Sequence, residues 1–244
     1  MLIRTAIHFH THHSFDSNRT PRSIVETAAL EGIDCVAITD HDAIDGAIEA
    51  RELAQSGVGG GRVRVIVGEE IGSRDGHIIG LFLSHKIEPN LSAEDTIAEI
   101  RKQGGVALAP HPFCTLCDNS LGSSIERVAH LLDGVEVHNA QNPLPWQDAA
   151  AARFAKQRGM TAYVGCDGHI DGPLAPAYQI MPDFHSPRSF VESLGRAQLV
   201  ARRYGPAYFA QMIGRHFWDK LMPFRLPGYG VALAAKDSGF GVQY

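Results

Sequence analysis

Eight short runs rich in valine and isoleucine set the strongest constraint on how this chain folds. They are Leu2 to Phe9, Cys35 to Thr39, Val63 to Val67, His77 to Leu83, Val106 to Ala109, Val135 to His138, Ala162 to Gly165 and Ala177 to Met181. Their hydrophobicity is nearly continuous, as in strands covered on both faces of a mostly parallel sheet. Helix-like stretches with boundary signals stand between them. Thr20 caps one with Pro21 in its first turn and Gly32 past its end; Ser92 precedes another that stops at Gly104-Gly105. Pro145 to Arg158 is alanine-rich and ends at Gly159, and Ser186-Pro187 opens a last one that ends near Gly195. Repeated strand–helix alternation predicts an α/β barrel.

One connection breaks the alternation. Too few residues separate Val63–Glu70 from His77–Leu83 for a crossover helix, and Asp75-Gly76 favours a tight reversal. These two strands are therefore predicted to be antiparallel neighbours. Glu70 would end one strand and His77 begin the next, on the rim where the other strands also end.

That rim collects most of the chemistry. Six of the thirteen histidines and three carboxylates lie at or near the ends of apolar runs: His8, His10, Asp16, His41, Glu70, His77, His111, Asp167 and His169. Active sites of β/α barrels sit at the C-terminal ends of the strands. Imidazole nitrogens and carboxylate oxygens gathered there suit a cluster of divalent metals. His8 and His10 are two apart in a strand, so they point to one side. The ordinary alternative for any one of them is a core or surface histidine.

The order and spacing of these residues resemble the PHP superfamily, the polymerase and histidinol phosphatase domains. The chain reads His8-x-His10-Thr11 with Ser14 and Asp16, then Thr39-Asp40-His41, Gly68-x-Glu70-Ile71, His77-Ile78-x-Gly80, His111-Pro112 and Asp167-x-His169. The resemblance spans about residues 3 to 195, and it is nearest to the compact bacterial PHP phosphoesterases. It implies a distorted seven-stranded TIM-like barrel over 1–200 with the metal site at the C-terminal rim. Residues 201–244 would add a helix from Tyr204 to Leu221 and an irregular tail on the same domain.

By that resemblance two to three divalent ions are held. His8, His10, Glu70 and Asp167 would take the first; Glu70 would bridge to a second with His77 and His111; Asp16, His41 and His169 would take the third. Mixed imidazole and carboxylate ligands suit Zn, Mn or Fe better than Ca. Glu70 and Asp167 would thus serve the catalysis directly. The implied activity is a metal-dependent phosphoesterase that attacks a small phosphorylated substrate with metal-bound hydroxide, without a phosphoenzyme. A nucleotide, the end of a short oligonucleotide or another phosphomonoester would fit. Histidinol phosphate is an alternative substrate. A non-phosphate metal hydrolase and an inert PHP binding domain are alternatives of another class.

Further candidates have plainer counterparts. Arg19 is placed to grip a phosphate bidentately, against the commoner case of a surface arginine. His185 is a candidate proton donor to the leaving group, against a solvent-exposed loop histidine. His138 is either a substrate-facing residue or a satisfied rim histidine, and Ser14 either contacts phosphate or shapes its loop. His12 and His13 occupy no ligand position of the family pattern. Cys114-x-x-Cys117 has the spacing of half a zinc knuckle or of a redox pair, with no second pair to accompany it. Ala6 stands where many relatives have Asp, two residues before the first ligand, so the first metal would be retuned.

Bulk properties narrow the partners. A formal net charge of −5 argues against a long nucleic acid held by a basic surface. No run of about eighteen apolar residues is present to span a membrane. Met1 to Ala6 lacks the pattern of a secretory signal, and four scattered cysteines do not make a disulfide framework. A reducing cytoplasm is the expected setting.

Overall fold

Side-chain caps at Thr20, Ser92 and Ser186 and left-handed glycines at Gly32 and Gly159 set several of the helix boundaries. The computed structural model describes residues 1–221 apart from Asp118. The chain runs β1 (Leu2–Phe9), α1 (Pro21–Glu31), β2 (Cys35–Ile38), α2 (Asp45–Gln55), β3 (Arg64–Ser73), β4 (Gly76–Leu81), α3 (Ala93–Lys102) and β5 (Val106–Ala109). It continues with α4 (Ile125–Val128), β6 (Gly134–Asn139), α5 (Pro145–Arg158), β7 (Ala162–Gly168), β8 (Ala177–Pro182), α6 (Pro187–Leu194), β9 (Gln198–Ala201) and α7 (Pro206–Leu221). Thr20 Oγ1 accepts from Ser23 N to start α1, and Ser92 caps α3 through Asp95 N. Gly159 closes α5 in the left-handed region, at φ 64°. The predicted C-terminal helix forms as α7; the predicted tail, 222–244, lies outside the described residues. No helix among those described is long and apolar enough to cross a membrane.

Strands β1 to β7 pair in sequence order, and β7 returns to β1, closing a seven-stranded barrel. Within the barrel all pairs are parallel except those of β4, which runs against both β3 and β5. The predicted reversal is there: Ser73 faces Gly76 across a turn at Arg74-Asp75. Glu70 does not end its strand, because β3 continues to Ser73 alongside β4. Strand β8 pairs antiparallel with the first half of β1, Leu2 facing Pro182, and carries β9 on its far edge.

Two apolar clusters divide along the period-two alternation of the strands. Ile3, Ile7, Cys35, Ala37, Ile66, Ile79, Leu108 and Tyr163 fill the barrel interior, where Phe184, Phe190 and Leu194 plug the end from which the parallel strands start. The outward residues, among them Ala6, Phe9, Val36 and Ile38, meet Ile24, Val25 and Ala28 of α1, Ala47 and Ala50 of α2, and Ile97 and Ile100 of α3.

Two elements carry weak sequence signals. Helix α2 has Ile44 at its N-cap position with no side-chain bond, and it buries alanines rather than a large apolar stripe. Its Gly46 sits so close to Asp40 and Thr11 that an added Cβ would collide with both. Strand β9 is a short edge strand with no fully buried residue.

Candidate metal centre

The barrel brings all nine candidate ligands to one end. His8 and His10 come from the end of β1, His41 from just past β2, Glu70 from β3, His77 from β4, His111 from just past β5, and Asp167 and His169 from the end of β7. His41 pairs with Glu70 through an isolated parallel bridge. Asp16, on the loop after β1, completes the group.

A backbone irregularity makes His8 usable. Regular alternation from Ile3 and Ile7, which face the interior, would turn His8 outward. His8 instead adopts φ 74°, and the register of β1 shifts between Ile7 and Phe9 against both neighbours. Ile7 and His8 then both face in, Phe9 joins the outer core, and His10 faces in again. His111 (φ 24°) and Asp167 (φ 52°) share the rare positive φ. Strained residues of this kind concentrate at functional sites.

The side-chain atoms form groups on the Glu70, Asp167 and Asp16 carboxylates. His8 Nε2 lies 3.0 Å from Glu70 Oε2 and 3.5 Å from Asp167 Oδ1; His10 Nε2 lies 3.2 and 3.3 Å from the same two oxygens. The other carboxylate oxygen, Glu70 Oε1, is 3.0 Å from His77 Nδ1 and 3.0 Å from His111 Nε2. Asp16 Oδ2 is 3.3 Å from His41 Nε2 and 3.1 Å from His169 Nε2. Ligands about 2.1 Å from a tetrahedral ion stand roughly 3.4 Å apart, so these separations suit ion-sized gaps. His41 adjoins two groups, its Nδ1 being 3.5 Å from Glu70 Oε2. His10 Nε2 and His77 Nδ1 are buried with no hydrogen-bond partner, and both adjoin Glu70. Unpartnered imidazole nitrogens beside buried carboxylates are a donor set that fits divalent ions.

Neighbouring groups hold the rings. His8 Nδ1 bonds Glu136 Oε1 at 3.0 Å, and His169 Nδ1 donates to the Asp167 carbonyl at 2.9 Å. Ser14 donates its hydroxyl proton to Asp40, so its oxygen accepts from His10 Nδ1 and from His41 N. Each contact leaves Nε2 facing the centre. Ser14 therefore shapes the loop.

Sequence reasoning missed three supporting residues. Glu136 is buried, receives His111 N at 2.7 Å and Asn139 Nδ2 at 2.9 Å, and lies where only a glycine at 165 leaves room. Asn139 also donates to Asp167 Oδ2 at 3.0 Å. Tyr208 of α7 accepts from His169 N at 3.0 Å, which ties the C-terminal helix to the centre. A charged residue inside the apolar run Gly134 to Val137 was the available signal for Glu136. Ala6 packs in the outer core, and Glu136 supplies a carboxylate to His8 instead.

The charges are strongly coupled. Burial opposes the charged form of His8, but Asp167, Glu70 and Glu136 outweigh it and raise its pKa well above the ordinary value. Burial likewise works against ionised Glu70, yet His8, His77 and His41 hold its pKa far below the carboxylate range. Asp167 and Asp16 are lowered in the same way despite burial, the first by His8 and His10, the second by His169 and His41. Divalent ions and protons would compete for these positions.

Two catalytic candidates are corrected. His185 lies at the opposite end of the barrel, beside Phe82, Arg64 and Arg51 on a cavity of about 560 Å³. Strand β8 runs against β1 and ends next to Leu2, roughly 20 Å of strand from His8. Arg19 is not a surface arginine: it is 1% exposed, and its Nη2 makes a 3.5 Å bond to Gly172 O, so it offers no accessible phosphate grip. His138 also turns away, bonding Asp148 at 2.9 Å and Arg202 O at 3.1 Å. His12 and His13 stack on each other outside the centre, and His13 meets Glu49 at 3.2 Å. Cys114 and Cys117 are joined in a disulfide.

The sequence pattern of the PHP domain matches residues 6–185. An uncharacterised protein of Methanocaldococcus jannaschii is 42% identical over 149 residues, 57% of this chain and 82% of that one. Among solved structures, a two-domain Bacteroides vulgatus protein containing a predicted PHP-like metal-dependent phosphoesterase superposes with a TM-score of 0.65 at 18% identity. The match covers 83% of this chain and 65% of that one, just under two thirds of its length. The lesion-specific endonuclease PfuEndoQ of Pyrococcus furiosus superposes with a TM-score of 0.60 at 14% identity, over 82% of this chain and 58% of that one. At these identities the structural likeness speaks for the fold.

Proposed function

The chain belongs to the PHP domain family, and on that premise we propose that it is a metal-dependent phosphoesterase of small phosphorylated substrates. One observation carries the reading: Glu70 belongs to two groups of ligand atoms close enough to share an ion, one with His8 and His111 and one with His41 and His77, as expected of a carboxylate shared by two ions. His8, His10, Glu70 and Asp167 would hold the first ion, Glu70, His77 and His111 the second, and Asp16, His41 and His169 a third. Bound there, such ions lower the pKa of water and offset phosphate charge.

The chain's own groups prepare the site. Glu136, Ser14 and the Asp167 carbonyl keep protons on the Nδ1 atoms of His8, His10 and His169 and present their Nε2 atoms inward. His8 and His10 are fully buried, while Asp16, His41 and His77 are half-buried and mark the open side. Phe15, 87% exposed, stacks on His41 with ring centres 5.4 Å apart. Its free face suits a planar group, which favours a nucleotide or the end of a short oligonucleotide over an aliphatic ester.

The test is turnover of a panel of phosphate mono- and diesters by protein reconstituted with Zn, Mn or Fe. Hydrolysis of at least one ester is expected, with a loss of roughly 10²–10³-fold or more in Glu70→Gln. Hydrolysis of amides or carboxylic esters alone would replace this reading with that of a non-phosphate hydrolase.

A further inference from the structure

We propose that Cys114 and Cys117 form a thiol–disulfide exchange site: their disulfide fixes the second ion position, and reduction by a dithiol lowers ion occupancy there. The inference rests on the reading of the centre as a metal site; the phosphoester chemistry does not enter it.

The placement of the pair is the first argument. Cys114 lies three residues after His111 and donates its backbone N–H to His111 O at 3.0 Å. Ser120 Oγ donates to Cys114 O at 2.8 Å, and Asn119 O accepts from His77 N at 2.8 Å. Gly122 N returns to Pro112 O at 2.8 Å. The turn closed by the disulfide therefore connects the backbone of His111 to that of His77. Those are the two imidazoles on Glu70 Oε1. There is no slack on the His77 side, since an added Cβ at Gly76 would strike the Leu121 backbone. Outer contacts that orient metal ligands are worth roughly 10–100-fold in affinity.

The chemistry of the pair is the second argument. Cys117 is half-buried and Cys114 is buried, so an incoming thiolate reaches the Cys117 sulfur first. The S–S electron pair then leaves on Cys114 Sγ. That sulfur accepts the Cys117 backbone N–H at 3.0 Å, a contact that steadies a departing thiolate. The second thiol of the reductant resolves the mixed disulfide and releases the Cys117 thiolate. Two electrons and two protons pass from the dithiol, which ends as a disulfide. The closed loop is very short, so the bond adds little to global stability and acts locally. The other two cysteines do not interfere: Cys35 and Cys166 are buried, and burial pushes the Cys35 thiol up to about 12.

The experiment compares full-length protein in its oxidised form with protein reduced by a phosphine, the reductant then being removed without air. Alkylation of the folded protein should count no reactive thiols in the first and two in the second. Zn(II) titration should then show the second ion bound roughly 10–100-fold more weakly in reduced protein, with the first unaffected and recovery on reoxidation. The double variant Cys114→Ser, Cys117→Ser should match the reduced protein and ignore the reductant. Equal affinities in both states, a pair that never oxidises, or a uniform loss of every ion would each overturn the proposal. Uptake of no ion in either state would overturn the metal-centre reading as well.

Discussion

The two ends of the barrel are built from the same strands to opposite specifications. At the end where the parallel strands start, Phe184, Phe190 and Leu194 plug the interior, with Phe190 edge-on to Phe184 and Phe82 at centroid distances of 5.0 and 5.3 Å. At the other end the interior holds buried imidazoles and carboxylates, and three of the residues there adopt positive φ. Apolar burial stabilises without regard to direction, whereas buried charge is tolerated only when each group meets a partner. The plug end should therefore govern stability and the metal end ligand chemistry, and substitutions can test that division.

The largest expected effect is on stability, at the plug. Phe190→Ala should lower unfolding free energy by about 3–5 kcal/mol, read by denaturant titration, while the ions bound per folded chain stay the same. At the metal end, Glu136→Gln should weaken ion binding roughly 10–100-fold with a smaller change in stability, because it loosens the hold on His8 while leaving every candidate ligand in place. A reversal of these two patterns would break the division.

The two faces of β3 sharpen it. Glu69 is buried opposite in direction to Glu70, receives Ile87 N at 2.9 Å, and burial pushes its carboxyl up to about 8. The unfolded chain releases this proton in the ordinary glutamate range and the folded chain only near 8, so stability falls as pH rises between the two. Glu69→Gln should remove that slope, at most about 1.4 kcal/mol per pH unit, and gain on the wild type towards pH 8 in thermal melts. The smallest effect belongs to His185→Ala. On the exposed, non-metal end it should change stability by under about 0.5 kcal/mol and leave phosphoester turnover as it was.

The barrel was legible from the sequence because its strands are short apolar runs punctuated by capped helices, and the β3–β4 reversal followed from the short connection and its Asp75-Gly76 pair. The nine ligand candidates stood out because they recur at or near such run ends in a family order, and the fold gathers them at one end of the barrel. What escaped notice depends on long-range geometry. The inward turn of His8 needs a register shift that no local pattern announces. Glu136 and Tyr208 reach the centre from 128 and 39 residues away from the histidines they hold. His185 looked close in sequence to the last ligands, but β8 carries the chain back to the far end. From the sequence Arg19 reads as a phosphate grip or a surface residue in a polar loop, and only packing buries it.

The central claim is that the Glu70 carboxylate joins two ion positions. Ion counting by elemental analysis of wild-type and Glu70→Gln protein, both reconstituted with Zn(II) and desalted, tests it most directly. Two to three ions per wild-type chain are expected, with at least one missing from the variant. Equal counts in the two proteins, or none in the wild type, would contradict it.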